Sequence, residues 1–191
     1  MAFNIYLCGV GGQGIGVLAA ALALAADKAG LQVLACDTHG LAQRGGMVSS
    51  HIRIGADALT PLVPEGGADL VLALERLEAQ RGAERFLKPG GALIYFDTAW
   101  QPVSVRTGQA PYPSAEEVEA AVKKLGGTAH RVAPADLPDP RMQNAALLGR
   151  AAFLKAVPGL VYADIENALR EVLPPAALEA SLRVYSSAAS A

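Results

Sequence analysis

The sequence predicts an α/β layered domain with a mainly parallel or mixed sheet, a Rossmann-like first βαβ unit and a helical C-terminal tail. Three observations carry this expectation. Apolar strand-like runs alternate with helical stretches along the first 157 residues. The first run, Ile5-Tyr6-Leu7-Cys8, leads directly into Gly9-Val10-Gly11-Gly12-Gln13-Gly14 and then an alanine-rich helical stretch. Beyond Pro158-Gly159 the pattern is helical, broken only at Pro174-Pro175.

Taken in order, Phe3 to Cys8 reads as a buried strand. Gln13 to Ala29 reads as a helix closed by Gly30. Gln32 to Cys36 gives the second strand, completing a unit whose crossover should be right-handed. Asp37 to Gly46 is a polar loop with three glycines. Met47 to Ile54 alternates and predicts a strand exposed on one face. Ala68 to Leu74 is a strand, Glu75 to Leu87 a helix, Lys88 to Gly91 a turn and Ala92 to Phe96 a strand. Gln101 to Arg106 reads as a further strand. Ser114 with Glu117 forms a capping box for a helix over Ala115 to Leu125. Thr128 to Val132 is a short strand. Helices follow at Met142 to Val157, Tyr162 to Leu173 and Ala176 to about Ser187. Residues 1–157 therefore form the α/β domain, and 158–191 a helical extension packed on that domain or on a partner.

Bulk chemistry narrows the function. The chain has 191 residues, enough for one good core. Hydrophobic residues make up 52% and charged residues 18%, which excludes disorder and leaves a surface poor in charge. A buried partner face or the high alanine content explains that balance equally well. The net charge is −2 without a basic block, which argues against a nucleic-acid partner. The apolar run Ile15 to Ala26 is too short to cross a bilayer. Met1-Ala2-Phe3-Asn4 lacks a basic leader, so a cytoplasmic location is expected and no membrane contact. Cys8 and Cys36 read as free buried thiols, and two cysteines are too few for an iron–sulfur cluster. No Cys/His spacing suggests zinc or another metal.

Gly9, Gly11 and Gly14 match G-x-G-x-x-G, a shape in which backbone N–H groups and a helix N-terminus favour a phosphate. The motif alone is weak. A nicotinamide enzyme also needs an acid at the end of the second strand, and Asp37 is the only candidate. The glycine-bounded loop after it interrupts the expected repeat. A free nicotinamide- or nucleotide-binding protein thus remains the alternative reading. His39, Gln43, Arg44, Gly45 and Gly46 make a second polar glycine segment. As an anion site, its glycine N–H groups and the forked Arg44 guanidinium would receive phosphate or carboxylate; as plain structure, it is a tight turn. Arg141 and Asn144, three apart, share a helix face and either solvate that helix end or orient a polar ligand. No residue has the setting of a general acid or base, and no catalytic residue is assigned.

Several segments together resemble a known family. They are Gly9-Val10-Gly11-Gly12-Gln13-Gly14, then Thr38-His39-Gly40-Leu41-Ala42-Gln43-Arg44-Gly45-Gly46-Met47-Val48, then Ser50-His51-Ile52-Arg53. Pro61-Leu62-Val63-Pro64-Glu65-Gly66, Leu87-Lys88-Pro89-Gly90-Gly91 and Asn144-Ala145-Ala146-Leu147-Leu148-Gly149 follow. The series resembles the gamma-type subunit or domain of 2-oxoacid:ferredoxin oxidoreductases, with most similarity to the beta subunits of the indolepyruvate type. It runs from about residue 3 to about residue 155. The resemblance implies a hetero-oligomeric enzyme that oxidatively decarboxylates an aryl or other 2-oxoacid to an acyl-coenzyme A and reduces ferredoxin. It implies thiamine diphosphate and iron–sulfur clusters on a larger partner subunit, with coenzyme A as a shared ligand. This chain alone is then expected to be inactive, with a homodimer one possible state when it is isolated. The glycine segments, with Gly11, Gly12, Gln13, Gly14 and Arg44 as donors, are expected to line an anionic pocket or the subunit interface.

Overall fold

A computed structural model describes residues 1–39, 46–134 and 137–188. Six strands form one sheet in the order β2-β3-β1-β4-β5-β6. They are β1 (Phe3–Val10), β2 (Val33–His39), β3 (Met47–Ile54), β4 (Ala68–Ala73), β5 (Leu87–Phe96) and β6 (Thr128–Val132). β1, β4, β5 and β6 pair in parallel, while β3 runs antiparallel to both β1 and β2. The sheet is therefore mixed, with one reversed strand. Helix α1 (Ile15–Lys28) links β1 to β2, and α2 (Arg76–Phe86) links β4 to β5. The short α3 (Val103–Arg106) and α4 (Ala115–Lys124) precede β6. A 3-10 turn at Pro140–Met142 leads into α5 (Gln143–Phe153), α6 (Tyr162–Val172) and α7 (Pro175–Ala188).

Strand alternation splits the core into two layers. Ile5, Leu7, Leu70, Leu72 and Ile94 point toward α1, α5, α6 and α7. Tyr6, Cys8, Val71, Leu93 and Tyr95 point toward α2 and α4. Leu18 and Leu22 of α1 are fully buried; sequestering such a side chain is worth about 2 kcal/mol. The tail closes the first layer, since Leu160, Ile165, Leu169, Val184 and Tyr185 share one core with α1 and the sheet.

The capping box forms as expected: Ser114 Oγ accepts from Glu117 N–H while the Glu117 carboxylate accepts from Ser114 N–H. Five expectations need correction. The turn expected over 88–91 lies inside β5, which runs from Leu87 to Phe96 and pairs with β4 from Leu87 onward. Residues 103–106 are helical rather than extended, because Pro102 cannot donate to a ladder and its carbonyl accepts from Val105 and Arg106 N–H. The second strand continues through His39, so Asp37 and Thr38 belong to the sheet and not to a loop. β3 lies between β1 and β2, so the first two strands do not pair. Finally, Ser49 and His51 of β3 are buried, not exposed: Phe86 and Val63 close over His51, and the Ser49 hydroxyl is bonded to that of Thr38. Of the two thiols, Cys8 is buried and Cys36 half-buried on the edge strand.

Candidate functional site

The glycine loop sits at the carboxyl end of β1. There β1 meets β4, and the helices that follow these two strands lie on opposite faces, the usual place for a ligand in an open α/β sheet. Gly12 and Gly14 take φ of +102° and +83°, a region that side-chain-bearing residues avoid. Gly14 is also the N-cap of α1, which has no side-chain cap. A Cβ at Gly14 would lie 2.7 Å from Asn144 Nδ2. Gly9 is part of β1, and a Cβ there would press on Gln13, Ile15 and Leu74.

Gln13 is 4% exposed and ties the junction together. Its Oε1 accepts from Val10 N–H at 2.8 Å, and its Nε2 donates to the Leu74 carbonyl at 2.6 Å. The same Nε2 reaches Gln143 Oε1 at 3.3 Å, and Gln143 Nε2 donates back to the Gln13 carbonyl at 3.2 Å. Asn144 Nδ2 donates to the Gly14 carbonyl at 3.0 Å. Thus α5 is pinned onto the start of α1 by two neighbouring amides. The Gly11 N–H donates to the Gly46 carbonyl at 2.9 Å, which holds Gly46 against the first glycine segment. The Gln13 N–H is spent within the turn, on the Val10 carbonyl.

The predicted residues therefore divide. Gly9, Gly11, Gly12, Gln13, Gly14, Gly46 and Asn144 come together at this corner. Arg141 does not, because its guanidinium forks onto Asp139 at the exposed 3-10 turn. His39 ends β2, with its side chain outside the described residues. Gln43, Arg44 and Gly45 lie outside the described residues as well. Asp37 stands on β2, one strand further from β1 than a ribose-binding acid would be. That place belongs to the strand beside β1, here β3, and the Asp37 carboxylate accepts from Ser50 Oγ.

Sequence reasoning missed a second polar cluster at the same edge of the sheet. Glu75, 1% exposed, follows β4 and caps α2 through Glu78 N–H. It also accepts from Trp100 N–H and from the Tyr112 hydroxyl. Asp97 after β5 receives Arg76 and Arg131. Burial alone would raise the Asp97 pKa, but the two guanidiniums outweigh it and hold the carboxyl below its usual value. Alongside lies a cavity of about 520 Å³ lined by Val10, Ala99, Trp100, Gln101 and Arg106. An acid directly after a continuous apolar run, and the lone tryptophan in a polar stretch, were the available signals.

Iron–sulfur ligation does not fit these residues. Cys8 is buried and donates to the Glu78 carbonyl, burial pushes its thiol well above the ordinary range, and β3 separates it from Cys36. Among the described residues, no group of three His, Cys, Asp or Glu side chains could hold a metal ion. No helix there is long and apolar enough to cross a membrane.

Residues 4–191 match the pyruvate ferredoxin/flavodoxin oxidoreductase family. The chain belongs to this family. The match extends through the three C-terminal helices, past the stretch where the sequence motifs are concentrated. Relatives include indolepyruvate oxidoreductase subunit IorB of Pyrococcus horikoshii, 34% identical over 96% of this chain and 92% of that one. The same subunit of Archaeoglobus fulgidus is 46% identical over a shorter stretch, 65% of this chain and 61% of that one. The fold is also that of a keto/oxoacid ferredoxin oxidoreductase gamma subunit from Geobacter sulfurreducens. That structure has a TM-score of 0.67 at 21% identity and covers 98% of this chain and 96% of its own. A 2-oxoglutarate:ferredoxin oxidoreductase from Magnetococcus marinus contains the same fold at TM-score 0.70 and 18% identity, in 30% of its length.

Proposed function

We propose that this chain is the companion subunit of a thiamine-dependent 2-oxoacid:ferredoxin oxidoreductase of the indolepyruvate type. The observation that carries this reading is the similarity to indolepyruvate oxidoreductase subunits along nearly the whole chain. The chemistry agrees. The chain has two cysteines, neither placed for a cluster, so the redox centres and thiamine diphosphate belong to a larger partner. Reduced ferredoxin would then leave through that partner, in the cytoplasm, and this chain would shape the site beside it.

The two glycine segments, joined by the Gly11–Gly46 hydrogen bond, line an anionic pocket for coenzyme A phosphates in this reading. Gly12, Gly14 and the uncapped first turn of α1 supply positive backbone dipole, and Arg44 supplies the charge. Anaerobic purification of the tagged chain from its own cells tests the assignment. A thiamine- and iron-containing partner with 2-oxoacid-dependent ferredoxin reduction supports it. A colourless, partner-free chain refutes it. Arg44→Ala in the assembled enzyme should raise the coenzyme A KM by roughly ten- to a hundredfold, since a charge-assisted phosphate contact is worth roughly 1.5–3 kcal/mol, or else weaken assembly. If neither changes, the pocket assignment is wrong.

A further inference from the structure

Among the described residues a helix packs on one face of β2 and β3; on the other face Ser49 and His51 are buried, and the exposed part is the Thr38–Met47 end. α1 packs on β2 and β3 from one side, while α2 and α4 lie over β1, β4, β5 and β6 on the other. By register, Leu34, Cys36 and Thr38 of β2 share this second face with Met47, Ser49, His51 and Arg53 of β3. Among the described residues no packed helix spans it. Met47 is 45% exposed, and Leu62, in the loop leading to β4, is 53% exposed.

Where this face meets α2 there is a cleft of about 510 Å³, lined among others by Met47, Glu65, Glu78, Arg81, Arg85 and Phe86. Glu78 is 4% exposed. Its Oε1 accepts from Arg81 Nη1 at 2.8 Å, but its Oε2 is buried without a hydrogen-bond partner among the described residues. Arg85 is committed to Glu65 at 2.7 Å. With Glu84 also on the lining, three carboxylates face two guanidiniums, an excess of one negative charge among the described residues. Burial pushes the Glu78 pKa up, Arg81 draws it down, and the net shift is upward. A buried, half-paired carboxylate is a standing cost to an isolated chain, recovered only when a donor reaches it.

We propose that this face docks the companion subunit through a basic amphipathic segment, its Lys or Arg directed at Glu78 and its apolar side chains resting on Met47 and Leu62. The proposal rests on the companion-subunit reading. A second copy of this chain is disfavoured as the occupant, because a twofold contact would set one net-negative cleft against another.

The test uses the chain together with its co-expressed companion subunit. In Glu78→Gln, the thermal midpoint of the isolated chain should stay level or rise, while the dissociation constant for the companion weakens tenfold or more. A purely structural glutamate would move only the midpoint. Met47→Asp, at an exposed position, should weaken binding at least tenfold with an unchanged midpoint. Phe153→Ser, on the exposed end of α5 and away from this face, should leave binding intact. Undisturbed binding in both Glu78→Gln and Met47→Asp overturns the proposal. So does an isolated dimer that Met47→Asp disperses, since that assigns the face to a second copy. A wild-type chain that binds no companion refutes the companion reading itself, whereas wild-type binding with indifferent variants refutes only this docking face.

Discussion

At the scale of single residues, polar groups inside the molecule decide more than their number suggests. Gln13 occupies a motif position where only the glycines have an evident sequence rationale. It serves as a strut, satisfying the Val10 N–H and the Leu74 carbonyl where β1 and β4 part. His51 is packed between Tyr6 and Phe86, and its Nδ1 accepts from Val63 N–H. That bond needs the neutral ring, and burial lowers the His51 pKa below its ordinary 6.5. The sign follows from linkage. Above pH 6.5 both folded and unfolded chains hold a neutral ring and stability is full. As pH falls below that, the unfolded chain takes up the proton first and the fold loses stability. The thermal midpoint should therefore drop by several degrees between pH 7.5 and 5.5, and His51→Asn should flatten that slope. Comparing the two slopes by calorimetry isolates the histidine from Glu78, whose raised pKa acts in the opposite direction. An unchanged slope in His51→Asn would refute the assignment.

At the scale of elements, the close packing of α5 and α7 shows how a small residue fixes a helix pair. A Cβ built at Gly149 would lie 2.2 Å from the Tyr185 carbonyl oxygen, a rigid backbone atom rather than a yielding side-chain tip. Gly149→Ala should cost about 3 kcal/mol by overpacking, despite alanine's better helix propensity. Urea denaturation measures it, and a neutral or stabilising result would show that α7 slides freely. Other elements were legible from local chemistry alone. The α4 capping box, the glycine after α1 and the Thr128–Val132 strand each rest on neighbours within a few residues. Residues 101–106 misled because the alternation Val103-Ser104-Val105 reads as a strand unless Pro102 is given its weight. Asn144 and Arg141 share a helix face in sequence, yet only Asn144 reaches the glycine loop. Arg141 is captured by Asp139 two residues away, and a local partner of opposite charge wins over a distant one.

At the scale of the whole molecule, the helical tail is part of the fold's main layer. Leu160, Ile165, Leu169 and Tyr185 are each at most 7% exposed, in one core with α1 and the sheet. Composition changes at Pro158, but packing does not. Truncation to residues 1–157 should strip apolar cover from α1 and α5 and leave an aggregating or molten chain. Limited proteolysis and near-ultraviolet circular dichroism would register this. A cooperatively folded 1–157 fragment would establish the tail as a dispensable extension.

The sequence by itself determined the layered α/β class, most element positions, the glycine turn behind β1 and the family resemblance. These depend on hydrophobic period, turn chemistry and short motifs, all of which act over a few residues. Only the tertiary structure decided the strand order, and with it much of the site. Insertion of antiparallel β3 between β1 and β2 takes Asp37 off the strand beside β1, and its carboxylate accepts from Ser50 Oγ. The same topology leaves the Met47 end of β3 exposed, with no helix of the described residues packed on it, beside a half-paired Glu78. Strand neighbours are chosen by long-range pairing and by the burial of both sheet faces together. Contacts between residues distant in sequence therefore settled what the local pattern left open.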